Sequence, residues 1–330
     1  MAEAASDGQA RGLRPVPGVV PAPPEGAGPL PDRTIEREGD APRLRAVANP
    51  YQTSSGMTVY VTVSDYYLPD PQADQGIVDF LDALLHGAEL DGLHLYIVGP
   101  PEMPVICGEE AVACYFPGEE RIVIVGEAEY AGYPTAYVLA HEYGHHVAAH
   151  RRNPPFPGGA LNWGTKRWAS QVGVCRAVAR GTLDPADYLQ HPGEGFAEAF
   201  AEYHYRGEFP WEFDPFLRPN ATSRERLARD VRDPWRANTV ARYAGRIGRR
   251  QVGRVAIKTP LDGRLIVTLW GPRRANLDLF LCHGRRVVAR STGRGSRERV
   301  SRRICGERKF DVVVFARRGK GRARVKVSKP

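Results

Sequence analysis

Hydrophobic and polar positions follow two different periods along residues 49–235. Short β-branched or alternating runs predict strands, whereas apolar residues three and four positions apart predict amphipathic helices. The predicted strands are "MTVYVTVS", "LHLYIV" and "RIVIVG", and the predicted helices are "GIVDFLDALLHG", "AYVLAHEYGHHVAAHR", "NWGTKRWASQVGVCRAVAR" and "GEGFAEAFAEYHYRG". This mixture of strands and helices favours an α+β domain.

The pattern changes after about Ala244, where only strand-like runs remain. They are "RLIVTLW", "LDLFLC", "RVVAR", "KFDVVVFA" and "RARVKVS", separated by turn residues. Regular short strands of this kind predict a small all-β sandwich over residues 253–330. The basic, glycine-containing segment 236–252 is interpreted as a linker. Residues 1–48 are rich in Pro, Gly and Ala and lack a hydrophobic period, which is typical of a disordered leader.

Charge is distributed unevenly over the 330 residues. The chain is 42% hydrophobic and 25% charged, with a net charge of +8, a composition that permits a packed core. Residues 251–330 hold 22 of the 46 basic and 5 of the 38 acidic residues, a net of +17, which leaves −9 for the rest. The basic part is either a solubilising surface or a binding site for an anionic cell-surface polymer. No apolar run approaches the ~20 residues of a membrane-spanning helix.

The five cysteines leave two interpretations open. None forms a C-x-x-C pair, so a cysteine zinc site or a thioredoxin-like motif is not expected. Local pairs Cys107–Cys114 and Cys282–Cys305, with Cys175 left over, suit an extracellular protein. Five reduced cysteines suit an intracellular one. The chain begins without a basic stretch followed by an apolar block, so no secretory signal is visible.

One predicted helix carries residues suited to metal chemistry. His141 and His145 are one turn apart and about 40° around the axis, so both rings leave the same face. Two such imidazoles can bind one Zn²⁺, and Glu142 between them can act as a general base on water, which is the H-E-x-x-H arrangement. Gly144 is poor for helix stability and predicts close approach of another backbone. His146 and His150 are expected at the surface or in local hydrogen bonds.

A zinc peptidase needs a third protein ligand. A histidine ten positions after His141 would supply it in metzincins, but that position is Arg151. The alternative is a carboxylate from the helix "GEGFAEAFAEY", where Glu194, Glu198 and Glu202 recur every four residues beside an apolar stripe. Buried carboxylates are costly without partners, and a metal with its histidines would supply them. Glu202 is expected at the surface.

The two motifs together resemble the gluzincin class of zinc metallopeptidases, including the anthrax lethal factor type. The resemblance implies a zincin-like fold, one Zn²⁺ bound by His141, His145 and Glu194, and Glu198 orienting a zinc-bound histidine. It further implies a Tyr or His that stabilises the oxyanion, for which Tyr188 and His191 are candidates. It also implies that the strand "RIVIVG" is the edge strand that pairs with substrate backbone.

The tail from about Gly253 resembles the prepeptidase C-terminal domain that follows secreted bacterial peptidases. The resemblance rests on "NLDLFLC" and "KFDVVVFA…GRARVKV". It implies secretion and a Cys282–Cys305 bridge.

These patterns predict a zinc endopeptidase that acts on polypeptides with Glu142 as the general base. Two alternatives stay open. One is a non-catalytic protein on a zincin scaffold that binds a cell-surface polyanion through its basic domain. The other is a zinc amidase acting on peptidoglycan cross-links. Specific nucleic-acid binding is not expected.

Overall fold

A computed structural model describes residues 47–330, so the predicted leader lies outside the described residues except for its last two positions. The chain forms a mixed α/β region followed by a region built of β-sheets. Within residues 47–330, no helix is both long and apolar enough to cross a membrane.

The first region contains a five-stranded sheet in the order β1-β2-β3-β5-β4. Strands β2, β3 and β5 are parallel, whereas β1 and β4 pair antiparallel at the two edges. The strand bounds, including the small ribbon β6–β7, are Asn49–Gln52 (β1), Thr58–Val63 (β2), His94–Val98 (β3), Cys114–Phe116 (β4), Arg121–Val125 (β5), Glu129–Tyr130 (β6) and Tyr133–Pro134 (β7). Leu95, Ile97, Ile122 and Ile124 are fully buried, as expected for central parallel strands.

The position of β5 corrects one prediction. "RIVIVG" is not an edge strand, because β4 forms an antiparallel pair with it on its outer side. The edge is β4, whose three residues are too few to give a recognisable alternating pattern.

The described chain contains eight α-helices in this region, two between strands of the sheet and six after its last strand. Their bounds are Pro71–Ala83 (α1), Met103–Cys107 (α2), Thr135–Ala149 (α3), Gly159–Trp163 (α4), Lys166–Val172 (α5), Val174–Arg180 (α6), Pro192–His204 (α7) and Ala221–Arg232 (α8). The predicted single helix "NWGTKRWASQVGVCRAVAR" is therefore three short helices. Gly173 divides α5 from α6 because it adopts a φ of +92°, which ends the first helix in the left-handed conformation.

The second region consists of two four-stranded antiparallel sheets, in the orders β13-β10-β15-β8 and β12-β11-β14-β9. Apolar residues from both sheets form one shared core. The strand bounds are Thr239–Ile247 (β8), Val252–Lys258 (β9), Gly263–Trp270 (β10), Asn276–His283 (β11), Arg286–Ser291 (β12), Arg297–Ile304 (β13), Lys309–Arg318 (β14) and Gly321–Lys329 (β15).

The predicted linker 236–252 is wrong over most of its length. Strand β8 pairs with β15 along all nine of its residues. Its inward residues Tyr243 and Ile247 pack on the shared core, while arginine, alanine and valine occupy its exposed positions. The inward and outward positions of β8 therefore differ little in hydrophobicity, so the sequence pattern did not predict this strand.

Two disulfide bonds are present, Cys107–Cys114 and Cys175–Cys305, and Cys282 is buried and free. The first matches a predicted pair. The predicted Cys282–Cys305 bridge is wrong, because Cys305 pairs with Cys175. Cys282 lies in β11 of one sheet, whereas Cys305 follows β13 of the other. The expectation of five reduced cysteines is also contradicted. Two bridges are consistent with an oxidising, extracellular environment.

The Cys175–Cys305 bridge joins the two regions, and polar contacts surround it. The backbone N–H of Asp262 donates to the Ser170 hydroxyl at 2.9 Å, and Arg308 donates to the Ser170 carbonyl at 2.8 Å. The guanidinium of Arg303 lies 4.7 Å from the centre of the Phe156 ring. Arg303 is therefore held against the α/β region.

Candidate metal centre

Close packing of α3 against α7 positions the candidate site. A Cβ atom built on Gly144 would lie 2.8 Å from the Cα of Ala197 and 3.1 Å from its carbonyl oxygen. Only glycine permits this separation, so the close backbone approach predicted for Gly144 is present. The approach brings the His141 and His145 face of α3 against the N-terminal turn of α7, where Glu194 lies.

The three predicted metal ligands meet in space. The ring centroids of His141 and His145 are 5.0 Å apart, and the rings are nearly perpendicular. One carboxylate oxygen of Glu194 lies 3.1 Å from Nε2 of His145 and 3.5 Å from Nε2 of His141. One ligand atom from each residue falls within 4.8 Å of the other two.

These separations fit a divalent cation. Four ligands at ~2.0–2.1 Å in a tetrahedron around zinc are about 3.4 Å from one another. The two separations that involve Glu194 lie on either side of that value. Two imidazole nitrogens and one carboxylate oxygen are also a donor set that zinc accepts. The His-His-Glu group could therefore hold a metal ion.

The electrostatics of the site also favour a cation. Burial lowers the pKa of His141, but hydrogen bonds to Glu194 and Glu198 outweigh it and raise the pKa to about 10. Burial raises the pKa of Glu194, but its hydrogen bonds with His141 and His145 outweigh it and hold the pKa far below its usual range. The carboxylates thus attract positive charge into a buried position. Metal binding would release the proton that otherwise occupies it.

Glu198 contacts one histidine from behind. Its Oε2 lies 2.9 Å from Nδ1 of His141, and its Oε1 accepts a hydrogen bond of 2.5 Å from the hydroxyl of Tyr137. The contact leaves Nε2 of His141 directed towards Glu194. Tyr137 was missed in the sequence, although its position one turn before His141 on the same helix face could have indicated it.

A cleft of about 940 Å³ opens onto these residues. Glu142 lines it and is 8% exposed, and burial raises the pKa of its carboxyl group. The three residues of β4 lie along the cleft or beside it, with Cys114 and Tyr115 in its wall. Among the lining residues from the described part of the chain, none is lysine or arginine, whereas five are glutamates: Glu110, Glu142, Glu194, Glu198 and Glu212.

Tyr188 and His191 both line the cleft. Partial desolvation, with the charges of Glu194 and Glu142, raises the pKa of Tyr188. Nδ1 of His191 accepts the backbone N–H of Glu194 at 3.3 Å and caps α7. A neutral ring that accepts at Nδ1 carries its proton on Nε2. Each residue therefore offers a hydrogen-bond donor within the cleft.

The remaining polar residues of the two helices have other partners. His146 is not at the surface, because it is fully buried, and its ring nitrogens contact the Glu89 carbonyl at 2.6 Å and the Tyr115 hydroxyl at 3.1 Å. This non-local pairing corrects the prediction. His150 is exposed and lies 3.5 Å from Glu120, which is partly exposed. Glu202 is only partly exposed and forms an ion pair with Arg224.

No family model and no curated protein matches this chain. Similar solved structures include the Yersinia pseudotuberculosis-derived mitogen (13% identity, 28% of this chain, 87% of that chain, TM-score 0.24). They also include the pre-peptidase C-terminal domain of collagenase from Bacillus anthracis (13%, 28%, 89%, 0.23) and Aeromonas hydrophila PliG, a periplasmic inhibitor of g-type lysozyme (15%, 28%, 86%, 0.22). Likenesses with TM-scores this low carry no argument about function.

Proposed function

We propose that this chain is a zinc-dependent endopeptidase with a zincin-like catalytic region. The convergence of His141, His145 and Glu194 in one cleft carries the proposal. Glu142 adds a carboxylate at the same site, and a purely structural metal would not need one. A closed structural site also has four protein ligands, whereas this group supplies three and leaves a position for water or substrate.

The residues of the cleft divide the chemistry among them. A zinc ion held by the two histidines and Glu194 would polarise a peptide carbonyl and lower the pKa of a water molecule. Glu142 accepts the proton of the attacking water and passes it to the leaving amine, a role that suits a buried carboxylate with a raised pKa. Tyr188 or the Nε2–H of His191 donates a hydrogen bond to the developing oxyanion. Glu198 and Tyr137 keep the His141 ring in place.

The substrate lies extended along β4 rather than along "RIVIVG". One side of β4 pairs with β5, and the other is free of any described strand. An extended peptide can add to such an edge through main-chain hydrogen bonds. The Cys107–Cys114 bridge fixes the start of this strand to the end of α2.

The charge of the cleft favours substrates with basic side chains. Glu110 and Glu212 are exposed in the cleft wall and are not among the candidate ligands, and no lysine or arginine of the described chain lines it. Glu212 accepts a hydrogen bond of 3.3 Å from the hydroxyl of Tyr133, which also lines the cleft. Lysine or arginine near the scissile bond would gain attraction that aspartate or glutamate would lack.

Metal analysis of the purified chain tests the proposal directly. Wild type should contain about one zinc per chain and hydrolyse quenched peptides until a chelator is added. Glu194→Ala should lose both the metal and hydrolysis. Glu202→Ala, two turns further along α7, is the matched control and should keep both. Zinc-loaded wild type that hydrolyses no peptide would reject the endopeptidase, and equal zinc content in Glu194→Ala would reject the ligand set.

A further inference from the structure

All charged side chains on the outer face of the sheet β13-β10-β15-β8 are basic. We call the outward side chains of these four strands the basic face. Most of its inward positions are apolar and belong to the shared core, with Glu298 and Arg302 as charged exceptions on β13, whereas every charged residue at an outward position is arginine or lysine. Exposed cations stand on all four strands, including Arg242, Arg246, Arg299, Arg322, Arg324 and Lys326.

Several of these cations stand directly beside one another. Lys326 of β15 is opposite Arg242 of β8, and Arg322 is opposite Arg246. Like charges directly opposite each other on neighbouring strands destabilise a sheet. None of these four has an ion pair with a residue of the described chain. The arrangement therefore maintains a repulsion that an external anion would relieve.

The outer face of the second sheet, β12-β11-β14-β9, has a different composition. Asp278 there forms an ion pair of 2.5 Å with Arg317, and Asp311 lies opposite Ala256, between Arg254 and Lys258. Partly buried Phe280 and Phe315 also point outward on this sheet. Basic residues on the second sheet are thus interspersed with acidic and aromatic ones. The uniform charge belongs to one face and not to the whole region.

We propose that the basic face binds a linear anionic polysaccharide that carries sulfate or carboxylate groups. Trp270 lies within the face, 37% exposed, with Arg297 opposite it on β13 and Arg324 opposite it on β15. Its ring offers an apolar surface for a sugar ring, while the flanking cations bind the acidic groups. This proposal does not depend on the proposed peptidase activity.

Two observations favour a polysaccharide over other polyanions. The two disulfide bonds are consistent with the extracellular space, where acidic polysaccharides coat cells. Single-stranded nucleic acid is typically bound by several aromatic side chains on which successive bases stack. On the described face, Trp270 is the only aromatic residue among the outward positions.

Two variants that lose the same number of positive charges test whether binding depends on the basic face or on the total charge of the β-sheet region. The face variant replaces four exposed cations by glutamine: Arg242, Arg299, Arg324 and Lys326. The control variant does the same on the second sheet: Arg254, Lys258, Arg290 and Lys309. Binding of the full chain to heparin is measured from 50 to 300 mM salt, with single-stranded DNA and anionic vesicles as competitors. Thermal unfolding of both variants verifies that they fold.

Wild type should bind heparin saturably, with an affinity that falls steeply as salt rises. The face variant should lose tenfold or more in affinity, and its slope of log affinity against log salt should flatten by about 3, while the control stays close to wild type. Trp270→Ala should weaken binding about fivefold with an unchanged slope, because a ring contact releases no ions. Equal losses in both variants would overturn the assignment to this face. Preference for DNA or vesicles over heparin would overturn the polysaccharide.

Discussion

The cleft and the basic face carry opposite charges and hold them in different ways. Glu142 and Glu198 in the cleft are 8% and 6% exposed, whereas Arg242 and Lys326 on the basic face are exposed. A buried carboxylate is costly unless it is paired, so the charge of the cleft must be matched within the site. Exposed cations are screened by salt beyond about 10 Å and need no internal partner.

The difference separates a reactive centre from a docking surface. In the cleft, short contacts hold Glu198 against His141 and Glu194 against His145. On the basic face, spacing is fixed only by the sheet, and many cations are equivalent. Single substitutions should therefore have large effects in the cleft, whereas a large loss of binding at the basic face should require the removal of several cations together.

The largest effect is expected from Glu142→Gln. The amide keeps the shape of the side chain but cannot accept a proton, so turnover of a quenched peptide should fall about 100- to 10,000-fold. Zinc content, measured on the same preparation, should stay at the wild-type value because Glu142 is not among the candidate ligands. Turnover within a few-fold of wild type, with zinc bound, would remove Glu142 from the base role.

Much of the cleft could be predicted from the sequence because two helices hold its main residues. The period of a helix places His141 and His145 on one face of α3, and it places Glu194 and Glu198 on one face of α7. Gly144 indicated that another backbone approaches this helix, but it did not indicate which one. Contacts between distant segments outside the two motifs could not be inferred. Strand β4 is three residues long, and the position of Tyr137 one turn before His141 does not by itself reveal its hydrogen bond to Glu198.

The β-sheet region was less predictable for a physical reason. The exposed positions of strand β8 include valine, alanine and glycine beside arginine, so this strand has little of the alternation that identifies a strand. Cys305 pairs with Cys175 at a distance of 130 residues along the chain, whereas sequence inspection favours local pairs. The basic charge was visible in the composition. Its confinement to one face depends on which residues point outward.

A smaller effect in the cleft is expected from Tyr137→Phe. Loss of the hydroxyl removes the hydrogen bond to Glu198, so the His141 ring is held less firmly and zinc affinity should fall about 10- to 100-fold. Zinc affinity is measured by competition with a chelator. Tyr143→Phe is the matched control, because this tyrosine lies on the same helix and its buried hydroxyl has no hydrogen-bond partner in the described structure. Equal zinc affinities in the two variants would show that the Tyr137 contact is dispensable.

A substitution in the cleft wall should have a still smaller effect, which concerns the selectivity between peptide substrates. The charge reversal Glu212→Lys should reduce, by about tenfold, the preference for peptides with arginine over glutamate near the scissile bond. The effect is limited because water screens part of the interaction between residue 212 and the substrate side chain. The ratio of kcat/KM for the two peptides measures it. Glu208→Lys, in the same loop but outside the cleft lining, is the control. An unchanged ratio in Glu212→Lys would mean that this carboxylate does not contact substrate.

The smallest effect concerns the stability of the basic face without any ligand. Removing Arg242, Arg299, Arg324 and Lys326 relieves like-charge repulsion, so the face variant should unfold a few degrees above wild type at low salt and at the same temperature at high salt. The control variant should gain less, because it also removes the opposed cations Lys258 and Lys309, but Arg254 and Lys258 flank Asp311 and lose an attraction. Thermal scans at 20 and 500 mM salt compare the two. A face variant that is less stable than wild type at low salt would mean that these cations stabilise the sheet, and the repulsion that an anionic ligand is proposed to relieve would not exist.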